Sequence, residues 1–302
     1  MRTTCWLLIV SCTWLTAAHA EEPIHYYTPD EVNALPSKSA DFRIAYGSDP
    51  HQFGDLRLPA THGAYPVAII LHGGCWQSGV ATSQNTAALA DALRDLGIAT
   101  WNVEYRGVDD VGGGWPGTFK DVSAATDYLK KIAPRYHLDL QRVVAVGHSA
   151  GGHLALWLAA RHKLPATSVL YSPHPLPISG VVTVGGIGDL QAYNSQVNNP
   201  CGNGTITQLL GDEPAHRYQE TSPVTLLPLG VPQILIYGSN DGIVPASFGQ
   251  AYADVADKSG DKVQLVLINN AGHHEYVVPN SSTWPAVKGA IFSLLKIPVK
   301  LH

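Results

Sequence analysis

The sequence predicts an α/β fold with one mostly parallel central sheet and helices on both of its faces. Three observations predict it. Short apolar runs rich in Val and Ile recur along the chain, segments with helical spacing stand between them, and glycine-containing turns follow several of the runs directly. A run that is apolar throughout, rather than alternating, marks a strand covered on both faces. Such strands belong to parallel sheets whose crossovers are helices.

Taken in order, Val67–Leu71, Ile98–Val103, Val143–Val146, Val181–Val184, Ile234–Tyr237 and Val263–Leu267 are the expected strands. Ala87–Leu96, Phe119–Ile132, Gly152–Ala160 and Trp284–Leu295 are the expected helices. In Phe119–Ile132 the residues Val122, Ala125, Tyr128, Leu129 and Ile132 fall on one helical face, which supplies a stripe to bury against the sheet. With 302 residues, 45% of them hydrophobic and 14% charged, the chain can bury one large core, and a single domain over residues 21–302 is expected. The formal charge is −5 and no Lys/Arg run occurs, which argues against a nucleic-acid partner.

Residues 1–20 differ from the rest. Arg2 precedes an apolar stretch, and Ala18-His19-Ala20 then offers small residues at its first and third positions. This is the layout of a secretory signal peptide cleaved after Ala20, and the stretch is short for a membrane anchor. A secreted or periplasmic location, with no stable membrane insertion after cleavage, is expected. Cleavage leaves Cys75 and Cys201 as the two cysteines. In an oxidising compartment they can pair, but their spacing leaves that open against a buried Cys75 and an unrelated Cys201. No His-Glu-x-x-His or cysteine cluster points to a metal, and no cofactor is expected. The Asn203-Gly204-Thr205 and Asn280-Ser281-Ser282 triplets are glycosylation acceptors in a source that glycosylates.

In parallel sheets the chemistry sits where strands end. After Val143–Val146 stands Gly147-His148-Ser149-Ala150-Gly151, a Gly-x-Ser-x-Gly segment between a strand and a helix. Such a turn is too tight for side chains at its flanks and pushes the serine hydroxyl out above the sheet, beside the N–H groups that open the helix. Ser149 is therefore the candidate nucleophile. After Val67–Leu71 stands His72-Gly73-Gly74-Cys75-Trp76. Paired glycines allow backbone to approach a substrate closely, so Gly74 and Cys75, with Ala150, are the candidate oxyanion donors. His72 reads as a residue that holds this loop by hydrogen bonds. A serine needs a base and the base needs an acid, in the chain order Ser, acid, His on such a sheet. Asp241 in Gly238-Ser239-Asn240-Asp241-Gly242 is the candidate acid, with Asp189 and Glu275 as rivals, and Ala271-Gly272-His273-His274-Glu275 carries two candidate bases. Trp76, Trp115 and His148 are candidate substrate-pocket residues, His153 is expected on the following helix, and residues 191–228 form an insert placed to act as a lid.

These segments, together with Glu104-Tyr105-Arg106 and Gly113-Gly114-Trp115-Pro116-Gly117, resemble a group of bacterial α/β-hydrolases across most of residues 60–297. The group takes in carboxylesterases and feruloyl- and acetylxylan-esterase-like enzymes, and is related to kynurenine-formamidase-like enzymes. The resemblance implies the α/β-hydrolase fold, a Ser-His-Asp mechanism on small-molecule esters without a cofactor, and His273, the histidine after glycine, as the base. His274 departs from it, since many relatives carry an aromatic residue there. Two other readings stand beside the esterase: an arylformamidase, for which export is awkward, and a non-catalytic binding protein, which would typically lack a triad member.

Overall fold

The computed structural model describes residues 24–61, 63–196 and 199–298. The expected signal peptide lies outside them.

Eight strands form one sheet: β1 (Phe42–Ala45), β2 (Phe53–Arg57), β3 (Tyr65–Leu71), β4 (Ala99–Val103), β5 (Leu138–His148), β6 (Gly180–Val184), β7 (Gln233–Gly238) and β8 (Val263–Ile268). Their order is β1-β2-β4-β3-β5-β6-β7-β8. The β1–β2 and β2–β4 pairs are antiparallel, and the remaining pairs are parallel. The helices are α1 (Pro29–Asn33), α2 (Ala87–Asp95), α3 (Gly117–Tyr136), α4 (Ala150–Ala160), α5 (Leu190–Asn194), α6 (Thr205–Leu210), α7 (Pro214–Thr221), α8 (Ala246–Lys258) and α9 (Trp284–Leu294).

Side-chain alternation divides the core in two. Val67, Ile69 and Leu71 of β3, with Val143 and Ala145 of β5, join residues of α3, α4 and α8 on one face. Ala68, Ile70, Val144 and Val146 face the other way and meet α2 and α9. Both faces are thus dry, as continuous apolar strands require. Every residue of α4 is buried, including Leu154, Leu156, Trp157 and Leu158. A helix apolar all round belongs inside, and α4 lies along the central strands directly after the Ser149 turn.

The chain order along the sheet reverses around β3 and β5. A ligand crevice forms at the carboxyl ends of strands beside such a switch. Here those ends carry the loops that begin at His72, Ser149, Gly185, Ser239 and Asn269.

Several elements went beyond the sequence expectation, α8 among them. The antiparallel strands β1 and β2 extend the sheet at one edge, and the 191–228 insert folds into α5, α6, α7 and a 3₁₀ turn at Pro223–Leu226.

Candidate active site

Ser149 joins β5 to α4 with φ 53° and ψ −119°, a conformation side chains beyond glycine rarely adopt. Its N–H bonds the Val184 carbonyl at 3.0 Å, which holds the turn against the neighbouring strand. A Cβ at Gly151 would stand 2.1 Å from the Leu71 carbonyl oxygen, so only glycine lets α4 start this close to the end of β3. The Ser149 side chain is buried and makes no hydrogen bond among the described residues.

Asp241 and His273 come together as expected. His273 Nδ1 donates to Asp241 Oδ2 at 2.8 Å, with both side chains buried. This assigns the proton to Nδ1 and leaves Nε2 with its lone pair. Asp241 Oδ1 accepts the N–H groups of Ile243 (2.9 Å) and Val244 (2.8 Å), which orients the carboxylate. The rivals are engaged elsewhere. Asp189 caps α5 through the N–H groups of Gln191 and Ala192, and Glu275 accepts the N–H of Tyr27 at 2.9 Å. Gly185 (φ +55°) lets the β6 loop pass this pair, because a Cβ there would lie 3.1 Å from both Asp241 Oδ2 and His273 Cε1.

The loop after β3 meets the serine from the other side. A Cβ on Gly73 would lie 3.1 Å from the Ser149 Cβ. Gly74, Cys75 and Trp76 all have positive φ, at 96°, 55° and 57°. Among the described residues the N–H groups of Gly74 and Cys75 find no acceptor, and Ala150 opens α4, where first-turn N–H groups have no partner within the helix. His72 holds the loop as expected. Its Nε2 meets Glu104 Oε1 at 2.9 Å, its Nδ1 meets the Gly73 carbonyl at 2.8 Å, and its ring stacks on Tyr105 at 4.2 Å. Burial raises the Glu104 carboxyl, but His72 and Ser83 outweigh burial and leave it below its ordinary range.

Cys75 and Cys201 are bridged, with Cα atoms 5.4 Å apart. The bridge ties the loop after β3 to the insert just before α6.

Two of the three candidate pocket residues stand elsewhere. Trp76 is fully buried, and its Nε1–H donates to His153 Nδ1 at 3.1 Å. The left-handed backbone from Gly74 to Trp76 turns the indole into the core instead of toward a ligand. His148 is buried with its Nε2 donating to the His273 carbonyl at 2.9 Å, and its ring lies 4.7 Å from that of His273. It holds the histidine loop rather than lining a pocket. Burial, with His273 and His274 nearby, keeps its ring neutral, its pKa pushed well below the ordinary value. Trp115 remains half-buried, edge-on to Phe119 and beneath the Arg217 guanidinium at 5.1 Å. His274 is half-buried, and burial, then His273, pushes its pKa down to about 4.

Sequence reasoning missed how the N-terminal arm, the segment just before α1, reaches into the site. Asn240 Nδ2 donates to Tyr26 Oη at 2.6 Å, and Tyr27 binds Glu275, so the arm touches the loops of Asp241 and His273 both. It also missed Tyr276, whose hydroxyl meets Asp241.

His153 yields a first prediction. Its Nδ1 accepts from Trp76 and its Nε2 donates to the Thr221 carbonyl at 2.9 Å, so protonation would set two N–H groups against each other. Burial pushes its pKa from 6.5 down to about 4. The unfolded chain then binds a proton at a higher pH than the folded one. The stability this group supplies is complete above pH 6.5 and is lost as pH falls toward about 4. The loss amounts to about 3 kcal/mol at most. Urea titrations at pH 7, 5.5 and 4 should show a decline that is shallower by up to this amount in His153→Gln. An equal slope in both proteins would mean that the ring does not titrate in this window.

Among the described residues no group of His, Cys, Asp and Glu is arranged to hold a metal ion, and no helix is long and apolar enough to cross a membrane. The sequence model of the family described as BD-FAE matches residues 55–254. The chain belongs to the BD-FAE family. Among curated relatives, esterase LipC of Mycobacterium tuberculosis is 24% identical over 251 residues, 80% of this chain and 62% of LipC. The probable carboxylic ester hydrolase LipM of the same organism is 24% identical over 64% of this chain and 45% of its own. The chain thus spans about half the length of these relatives. Esterase B from Lactobacillus Rhamnosis superposes with a TM-score of 0.73 at 21% identity, covering 88% of this chain and 90% of that one. A truncated carbohydrate esterase from gut microbiota gives 0.71 at 20%, covering 88% and 98%. These likenesses establish the α/β-hydrolase fold for this BD-FAE chain.

Proposed function

We propose that the chain is an exported serine esterase that hydrolyses carboxylic esters of small molecules through Ser149, His273 and Asp241. The observation that carries this reading is the 2.8 Å His273–Asp241 pair at the same sheet end as the strained Ser149 turn. Esterase names among the relatives favour esters over formamides. The leader-like residues 1–20 and the Cys75–Cys201 bridge support export, because disulfides persist in oxidising compartments.

His273 Nε2 takes the proton of Ser149 Oγ as that oxygen bonds to the ester carbonyl carbon. The carbonyl π pair moves onto oxygen, where the N–H groups of Gly74, Cys75 and Ala150 hold it. Collapse of the tetrahedral adduct breaks the bond to the alcohol, which leaves with the proton from His273. Water, deprotonated by His273, then attacks the acyl-enzyme and frees the acid and Ser149. Asp241 keeps the Nδ1–H tautomer throughout and stabilises the imidazolium. Trp115, half-buried in the Gly113–Gly117 loop, is the remaining candidate for contact with the substrate.

A fluorophosphonate probe should label the protein and leave Ser149→Ala unlabelled. In one assay, p-nitrophenyl and feruloyl esters should exceed N-formylkynurenine in kcat/KM by orders of magnitude. Equal labelling of both proteins would sink the nucleophile, and the reverse preference would replace the esterase by a formamidase.

A further inference from the structure

Tyr276 follows His273 by three residues and is fully buried. Its hydroxyl accepts a hydrogen bond from the Gly238 N–H and donates to Asp241 Oδ2 at 3.0 Å. The same Oδ2 receives His273 Nδ1–H at 2.8 Å. Asp241 therefore carries two bonds on each oxygen, but the two oxygens differ. The Oδ1 partners are the backbone of its own loop, at Ile243 and Val244, and fix where the carboxylate sits. On Oδ2, Tyr276 and His273 draw on the same negative charge.

We propose that Tyr276 is a positioning residue that sets how tightly the His273–Asp241 pair holds a proton. This rests on reading His273 as the general base. A donor on Oδ2 takes up part of the charge that would otherwise stabilise the His273 imidazolium, so the base is free at a lower pH than a bare carboxylate would allow. Burial, and then Asp241, push the phenol far above its ordinary range, so it stays protonated and acts toward the carboxylate as a donor.

Other titratable side chains pack around the pair. His148 at the end of β5 and His274 on the same loop are kept neutral, burial being the main cause for each. Tyr193 on α5 and Tyr237 on β7 are pushed up by burial and by Asp241. Glu275, on the histidine loop, binds the Tyr27 N–H.

The test follows the pH dependence of Ser149 phosphonylation and of kcat/KM on p-nitrophenyl acetate. In Tyr276→Phe the acid limb should move up by about one pH unit, lowering rates below the limb about tenfold. Placing 3-fluorotyrosine at position 276 strengthens the donor while keeping the ring and its hydroxyl, and should move the limb down. A purely structural role would lower the amplitude and leave the limb in place. Limbs unchanged from wild type in both variants would overturn the proposal, and the fluorinated variant carries the test if Tyr276→Phe does not fold. Failure of the underlying reading looks different. There the wild type is not labelled, or Ser149→Ala is labelled equally, and the role of Tyr276 falls with it.

Discussion

Ser149→Ala is expected to lower kcat/KM on p-nitrophenyl esters by about 10⁶-fold, because a nucleophile and its base act as a unit and removing either forfeits nearly the whole of their effect. The residual rate should come from the oxyanion donors and from binding. Fold and stability should respond differently. At φ 53° and ψ −119° the Ser149 backbone sits where a Cβ is crowded, and alanine keeps that crowding. Such a residue costs about 1–3 kcal/mol. Glycine relieves it and gives back about 0.5–1 kcal/mol through the freer unfolded chain. Ser149→Gly should thus be as inactive as Ser149→Ala yet more stable by about 1 kcal/mol, measured as a urea midpoint at constant m-value. A glycine variant less stable than the alanine variant would show that the turn stores no strain. Residual activity within about tenfold of wild type in either variant would remove Ser149 from the mechanism.

The parts of this site that were legible share one property: each is written in a few adjacent residues at a strand end. The Ser149 turn needs its glycines locally, the paired glycines at 73 and 74 mark a close backbone approach, and Asp241 and His273 each follow an apolar strand. What was not legible depends on partners distant in sequence. Tyr276 meets an aspartate 35 residues earlier, and His148 bonds a carbonyl 125 residues later. Trp76 looked like a loop aromatic because nothing nearby announces that three successive positive φ angles turn it inward. The strands β1 and β2 were missed because they are short antiparallel elements carrying Arg43, Asp55 and Arg57, without the continuous apolar signature of the centre. Helix α8 was missed because its buried face is Gly249, Tyr252, Ala253 and Ala256, a weak apolar signal. Gly249 is required there, since a Cβ would stand 2.3 Å from the Tyr237 ring.

The bridge between Cys75 and Cys201 shows most fully how distant sequence acts on the site. It closes a separation of 126 residues, and the loss of a bridge over so long a loop costs about 5 kcal/mol in the chain-entropy account. The double variant Cys75→Ser/Cys201→Ser should melt about 10 °C lower, and reduction of the wild type should reproduce that shift. The effect on rate should be separate from the effect on stability. Other contacts hold the insert as well: Trp157 Nε1–H donates to the Glu220 carbonyl at 2.8 Å, His153 binds Thr221, and Arg217 reaches both the Leu210 carbonyl and the Trp115 ring. The insert should therefore stay in place without the bridge. The bridge acts directly on Cys75, a non-glycine residue at φ 55° whose N–H finds no acceptor among the described residues and is a proposed oxyanion donor. Losing one such donor outright costs about 10²–10³ in kcat. Loosening it should cost less, about tenfold, and should fall on kcat with KM little changed, because the interaction forms only as charge develops. A lower melting temperature with kcat intact would make the bridge a staple for the fold alone. A rise in KM at constant kcat would move its role from the oxyanion to the walls of the substrate site.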